Sequence, residues 1–180
     1  MCHLTVECVV TGSGHNDRAP CRVALVDLHN RVSWSAIILV TPVLDPLTAI
    51  TGLTTAQIQA KGRPFDVVRD DLFGYIGPGM VLVGQKVTND VGWMQLEAGT
   101  HYARTVDLAE LFRLWNPHFE HYMYFTLRKQ VYVAFGAVVG GSHDPVEDEM
   151  WSMRLAHLRD WKKSNDNRPP CRIKCSFPKL

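Results

Sequence analysis

The chain of 180 residues carries 19 lysines and arginines against 18 aspartates and glutamates, a net charge of +1, so bulk charge makes no case for nucleic acid. Its length fits one domain with a core of its own, and no apolar run reaches the length of a membrane helix. Five cysteines, an odd number with no signal peptide ahead of them, give the expectation of a reducing compartment: intracellular, nuclear or cytoplasmic, not secreted.

In chain order, Leu4 to Val10 reads as a strand, broken by Thr11-Gly12-Ser13-Gly14 and a polar loop to Pro20. Arg22 to Leu28 and Val32 to Val40 read as further strands around the His29-Asn30 turn, completing an antiparallel meander that Pro42 and Pro46 end. Thr48 to Thr54 leads into short helical pieces, and Pro64 to Tyr75 has helical spacing in Phe65, Val68, Leu72 and Phe73. Met80 to Val83 is nearly all apolar, as a strand buried on both faces would be. Asp90 to Leu96 reads as a helix, Arg104 to Val106 as a short strand, and Leu108 to Leu114 and Thr126 to Phe135 as helices. Trp115 to Tyr124, rich in aromatics and histidine, fits neither period. The expected fold is α/β, with a mixed central sheet (an antiparallel meander, then parallel strands) flanked by helices.

The stretch Ser142-His143-Asp144-Pro145-Val146-Glu147-Asp148 runs into the apolar spacing of Met150, Met153, Leu155 and Leu158. Asp144 suits a helix cap, Pro145 the first helical position and Glu147 a capping-box acid. A histidine beside a carboxylate that can hold a metal is equipment for hydrolysis, although a well-capped surface helix explains the same letters. Beyond it, Arg159, Lys162, Lys163, Arg168, Arg172, Lys174 and Lys179 face only Asp160 and Asp166. The expected division is therefore a domain at 1–158 and a basic tail at 159–180, solvated or a contact for a phosphate backbone. Cys171 and Cys175 could join Cys2 and His3 around zinc, but Cys-x3-Cys is a weak pattern and free thiols are the default.

The order of these blocks resembles the DEDDh class of 3′→5′ exonucleases, nearest the Rex-type RNA exonucleases and the interferon-stimulated exonuclease, over about residues 4 to 158. Val23-Ala24-Leu25-Val26-Asp27 and Pro42 resemble the second and third strands, and Thr48 to Thr54 resembles T-x-x-S-G-I-T. Leu82-Val83-Gly84 through Asn89-Asp90 resembles V-G-H-x4-D with Gln85 in the histidine's place. Thr126-Leu127-Arg128 resembles S-L-K, and Ser142 to Asp148 matches H-D-P-V-E-D almost letter for letter. The resemblance implies an RNase H-like exonuclease fold and hydrolysis of a 3′-terminal phosphodiester. There, carboxylates hold two divalent ions, Mg²⁺ or Mn²⁺, and a histidine deprotonates water. Carried over by position, His143 is the general base, Asp148 the last metal ligand and Asp90 the middle carboxylate, while Asp144 and Glu147 are capping groups.

The first motif departs from the family's D-x-E. Cys8, Gly12 and Gly14 fall into register when Glu7 takes the aspartate position and Val9 the glutamate position. Sliding by two residues puts Thr5 and Glu7 there and loses those matches. Either way a carboxylate is missing, and Arg104 stands where the family has aspartate, a cation that repels metals but suits a phosphate. Two functions follow. One is an impaired exonuclease acting on RNA 3′ ends, with Glu7, Asp90, Asp148 and His143 as its site. The other is a pseudo-exonuclease that binds RNA or a protein partner. Of the aromatics able to stack a base, Trp93, Phe119, Tyr122, Tyr124 and Trp151, burial is the expectation for each, with Phe119 to Phe125 as a candidate partner surface.

Overall fold

A computed structural model describes residues 1–29, 31–139 and 150–158 of the chain. The expected helix start at Ser142 to Asp148 and the basic tail lie outside the described residues. Strands β1 (Cys2–Val10), β2 (Arg18–Val26) and β3 (Val32–Ile37) form the antiparallel meander. Helices α1 (Thr48–Thr51), α2 (Thr55–Lys61) and α3 (Phe65–Phe73) follow, then β4 (Val81–Gly84), α4 (Val87–Trp93), β5 (Arg104–Asp107) and α5 (Leu108–Leu111). A hairpin of β6 (Arg113–Asn116) and β7 (His121–Tyr124) leads to α6 (Leu127–Phe135), and residues 150–158 are helical. The main sheet has the order β3-β2-β1-β4-β5, with β4 parallel to both β1 and β5.

Both faces of this sheet are covered. Leu82 and Val83 are each fully buried but point to opposite sides, as neighbours on a strand must. Leu82 joins Leu4, Leu25, Val68, Leu72, Val91 and Met94, the layer under α3 and α4. Val83 joins Val106, Val131, Met153 and Leu155, the layer under α6 and residues 150–158. A third cluster of Val9, Cys21, Val40, Leu53 and Ile58 seats α2 on the far end of β1.

Several boundaries differ from expectation: among them, β3 ends at Ile37 rather than Val40, and α5 ends at Leu111 rather than Leu114, so that Arg113 and Leu114 belong to a strand. β2 starts at Arg18 rather than Arg22, because the ladder skips Cys21 between the pairs Glu7–Arg22 and Cys8–Pro20, and this bulge accommodates a proline within the strand. α4 starts at Val87 rather than Asp90, after Lys86 turns the chain at φ 54°. Trp115 to Tyr124, unassigned from sequence, forms most of the β6–β7 hairpin, paired from Arg113–Tyr124 to Asn116–His121. Of the zinc candidates, Cys171 and Cys175 lie outside the described residues, while Cys2 and His3 lie on opposite faces of β1, the Cys2 thiol turning into the core to donate to Met80 Sδ at 3.1 Å.

Thr54 and Gln57 form a reciprocal capping box at the start of α2. At its other end, the Gly62 N–H bonds the Ile58 carbonyl at 2.9 Å and the next residue, Arg63, exchanges backbone bonds with Ile37 and Leu39. A Cβ on Gly62 would lie 2.7 Å from Leu39 Cα and 2.8 Å from Leu39 N, atoms that cannot rotate away. Gly62→Ala is expected to cost about 1–3 kcal/mol by overpacking, read as a lower urea midpoint at unchanged m-value.

Candidate active site

β1 pairs with β4 only at Cys2–Leu82 and His3–Val83, after which the two strands part and α4 fills the gap between them. The space beyond the carboxyl end of β4 is a cleft of about 500 Å³, the place where open α/β sheets generally bind ligands. Its floor is β1, where alternation brings the buried His3 and the half-buried Thr5 and Glu7 to one face. α4 contributes Asp90, and the turn before it contributes Gln85 and Lys86. Ile50 of α1 stands on one side and Tyr124, Phe125 and Leu127 on another, with Ser152 of the last helical stretch completing the wall.

Each wall is held by local chemistry. Ile50 is presented by a tight turn in which the buried Thr51 hydroxyl donates to the Pro46 carbonyl at 2.8 Å and accepts from the Leu53 N–H at 3.1 Å. Leu47 at φ 48° and Gly52 at φ 68° flank it, the latter in the region that glycine enters without a Cβ clash. On the other side Gln130, buried on α6, exchanges amide bonds of 2.8 and 3.3 Å with Gln85 and donates to the Phe125 carbonyl at 2.8 Å. That paired amide ties the end of β4, α6 and the Phe125 wall together.

The electrostatics are those of crowded carboxyls in a poorly solvated place. Burial first, then the neighbouring Glu7 and Asp107, push the Asp90 carboxyl up to about 8, while a hydrogen bond from the Val6 backbone N–H acts in the opposite direction. Asp107 is committed to structure: its Oδ1 accepts from the Lys86 and Ala109 N–H groups, both at 2.9 Å. His3 is buried, which pushes its imidazole down to about 4, and among the described residues its Nδ1 has no hydrogen-bond partner. Among the described residues no group of three or more His, Cys, Asp or Glu side chains is placed to hold a metal ion.

No protein-family model matches the chain. Over 111 residues it is 32% identical to the putative RNA exonuclease pqe-1 of Caenorhabditis elegans, covering 61% of this chain and 6% of that protein's length. The pseudoubiquitin hydrolase–RNA exonuclease module of Saccharomyces cerevisiae Pan2, solved with AAUUAA RNA, superposes with a TM-score of 0.72 at 18% identity. That match covers 91% of this chain and 29% of that one. The catalytic unit of Neurospora crassa Pan2 superposes with a TM-score of 0.69 at 14% identity, covering 90% and 27%. The fold is that of the Pan2 exonuclease modules. The mixed RNase H-like sheet expected from the sequence is the one observed.

Within this fold two of the sequence-derived candidates come together. Glu7 and Asp90 share the cleft; His143 and Asp148 lie outside the described residues. The register that pairs Glu7 with Val9 is corrected by the structure, because Val9 is fully buried between Cys21, Leu53 and Ile58 while Thr5 lines the cleft. The glycines that favoured that register have another reason to exist. Asp17 accepts from the Gly14 N–H at 2.7 Å and packs where a Cβ on Gly12 or Gly14 would sit, so the turn itself favours glycine at both positions. Arg104 is also corrected: it is exposed at the opening end of β5, opposite Val81, whereas the cleft lies at the closing end near Asp107. His3 and Asp107 were missed, although His3 could have been found by extending the alternation of Glu7 and Thr5 one step back.

Two predictions follow from this geometry. Thr5→Asp should fold like wild type, whereas Val9→Glu should lose on the order of 3–5 kcal/mol in chemical denaturation, because it strands a carboxylate in the core. The reverse ranking would restore the Glu7–Val9 register. Asp90 binds its proton more tightly when folded than at the unfolded value of about 3.9, so its contribution to stability declines as pH rises from there to about 8. In chelator, Asp90→Asn should therefore gain stability relative to wild type across that window, and a pH-independent difference would contradict the burial argument.

Proposed function

We propose that the chain binds the 3′ end of single-stranded RNA in this cleft, as an exonuclease-like protein whose hydrolysis is impaired. The carrying observation is the Thr5-Val6-Glu7 edge facing Asp90: it keeps two carboxylates of a DEDD-type arrangement and puts a threonine hydroxyl in the place of a third. The RNA exonuclease relative and the RNA-bound Pan2 module support the substrate class. An intracellular site of action, nuclear or cytoplasmic, accords with that substrate.

The described residues alone do not form a site for a divalent ion, and Glu7, Asp90 and, from the sequence, Asp148 are its candidate ligands. Bound Mg²⁺ or Mn²⁺ would supply Lewis acidity at the phosphate and favour the charged form of Asp90. The chain's own contribution is positional. Ile50 and Phe125 offer apolar walls for a terminal base, Lys86 supplies a cation at the turn before α4, and the acidic floor faces the phosphate region between them. The silent reading, a pseudo-exonuclease kept for binding, draws on Thr5, since a neutral hydroxyl holds a hard cation less well than a carboxylate.

The test is a time course on 5′-labelled single-stranded RNA with Mg²⁺ or Mn²⁺. Wild type should shorten the RNA slowly from the 3′ end, Glu7→Gln with Asp90→Asn should abolish this, and Thr5→Asp should accelerate it on the order of a hundredfold, the scale of a misplaced catalytic group. Cleavage appearing only in Thr5→Asp would favour the silent reading. Cleavage indifferent to Glu7 and Asp90 would refute the site.

A further inference from the structure

Among the described residues the β6–β7 hairpin pairs with no other strand, and it exposes one face of aromatic and planar groups. Register places Arg113 opposite Tyr124 and Trp115 opposite Tyr122, so these four side chains share a face. The burial expected for the tyrosines is not found: Trp115, Tyr122 and Tyr124 are 47%, 42% and 49% exposed. The face is also organised. The Arg113 guanidinium lies 3.9 Å from the Tyr122 ring centroid and hydrogen-bonds Tyr124, while the Trp115 and Tyr122 rings meet edge to face with centroids 5.0 Å apart. Glu110 pairs with Arg113 and holds it from the other side.

We propose that this face is a stacking track for single-stranded RNA, carrying nucleotides upstream of the 3′ terminus that the cleft receives. Continuity is the decisive feature, because Tyr124 belongs both to the track and to the cleft wall, followed directly by Phe125. A nucleic-acid strand leaving the cleft across Tyr124 would meet Tyr122, the Arg113 plane and Trp115 in turn. Aromatic rings and guanidinium planes are the surfaces on which unpaired bases stack, whatever their sequence. The exposed cations Arg128 and Lys129 follow at the start of α6, beside the point where track and cleft meet. A protein-binding face of the same size has no such reason to run into an acidic cleft.

The inference rests on the RNA 3′-end reading of the cleft, so the experiment separates the two. Binding of a fluorescent single-stranded RNA dinucleotide and octamer is measured in wild type, in Trp115→Ala/Tyr122→Ala, and in Arg113→Lys. Wild type should bind the octamer at least about tenfold tighter than the dinucleotide, consistent with about 1–3 kcal/mol per stacked base. The double variant should lose that advantage while its dinucleotide affinity stays unchanged, and Arg113→Lys should lose part of it. A wild-type preference for length that survives the double variant would overturn the track and leave the cleft reading intact. Octamer binding that depends on the hairpin, without dinucleotide binding, would support the track and overturn the cleft reading. Failure to bind either RNA would overturn both. If the hairpin variants misfold, photocrosslinking of a 4-thiouridine octamer to wild type decides the matter: adducts on residues 113–124 support the track and their absence refutes it. A wild-type dimer in sedimentation that the double variant dissociates, with RNA affinity unmoved, would assign the face to self-association instead.

Discussion

Everything at the cleft depends on where β1 stops pairing with β4. Two residues of parallel ladder hold the strands together, and beyond His3 the edge of β1 needs another partner for its backbone. α4 supplies it, with the Asp90 carboxylate accepting from the Val6 N–H between Thr5 and Glu7. The same contact that satisfies the strand edge draws a carboxyl into a place that discourages its charge. Gly84 permits this approach, since a Cβ there would meet the Leu4 carbonyl at 3.2 Å and Val87 at 3.1 Å.

A site built this way trades ligand strength for backbone structure. Asp107 is near enough to raise the proton affinity of Asp90, yet both backbone bonds it accepts are needed to turn the chain at Lys86 and to cap α5. Thr5 reduces negative charge on the floor by one where the resemblance calls for a carboxylate. Under the proposed function, this cleft receives a nucleotide end and is poorly furnished for hydrolysis.

Much of the sheet was legible in the sequence because its strands carry strong signals: the apolar run through Leu82 and Val83, and the meander punctuated by Gly12, Gly14 and the His29 turn. The meeting of Asp90 and Glu7 in one cleft was legible through the order of motifs. The register of β1 was not, because Gly12 and Gly14 answer to Asp17 in a turn and carry no information about which side chains reach the cleft. The burial of Val9 depends on Leu53 and Ile58, partners far along the chain, which no local pattern announces. The hairpin escaped notice because both its strands are short and its aromatic face covers no core, so neither period shows clearly in Trp115 to Tyr124, and Arg113 and Leu114 read as the end of a helix.

The most direct measurement is a crystal structure of the Glu7→Gln variant with a single-stranded RNA octamer. The 3′-terminal nucleotide is expected between Ile50 and Phe125, its phosphate over the floor formed by Thr5, residue 7 and Asp90. A terminal nucleotide bound elsewhere on the protein, with this cleft left to solvent, would contradict it.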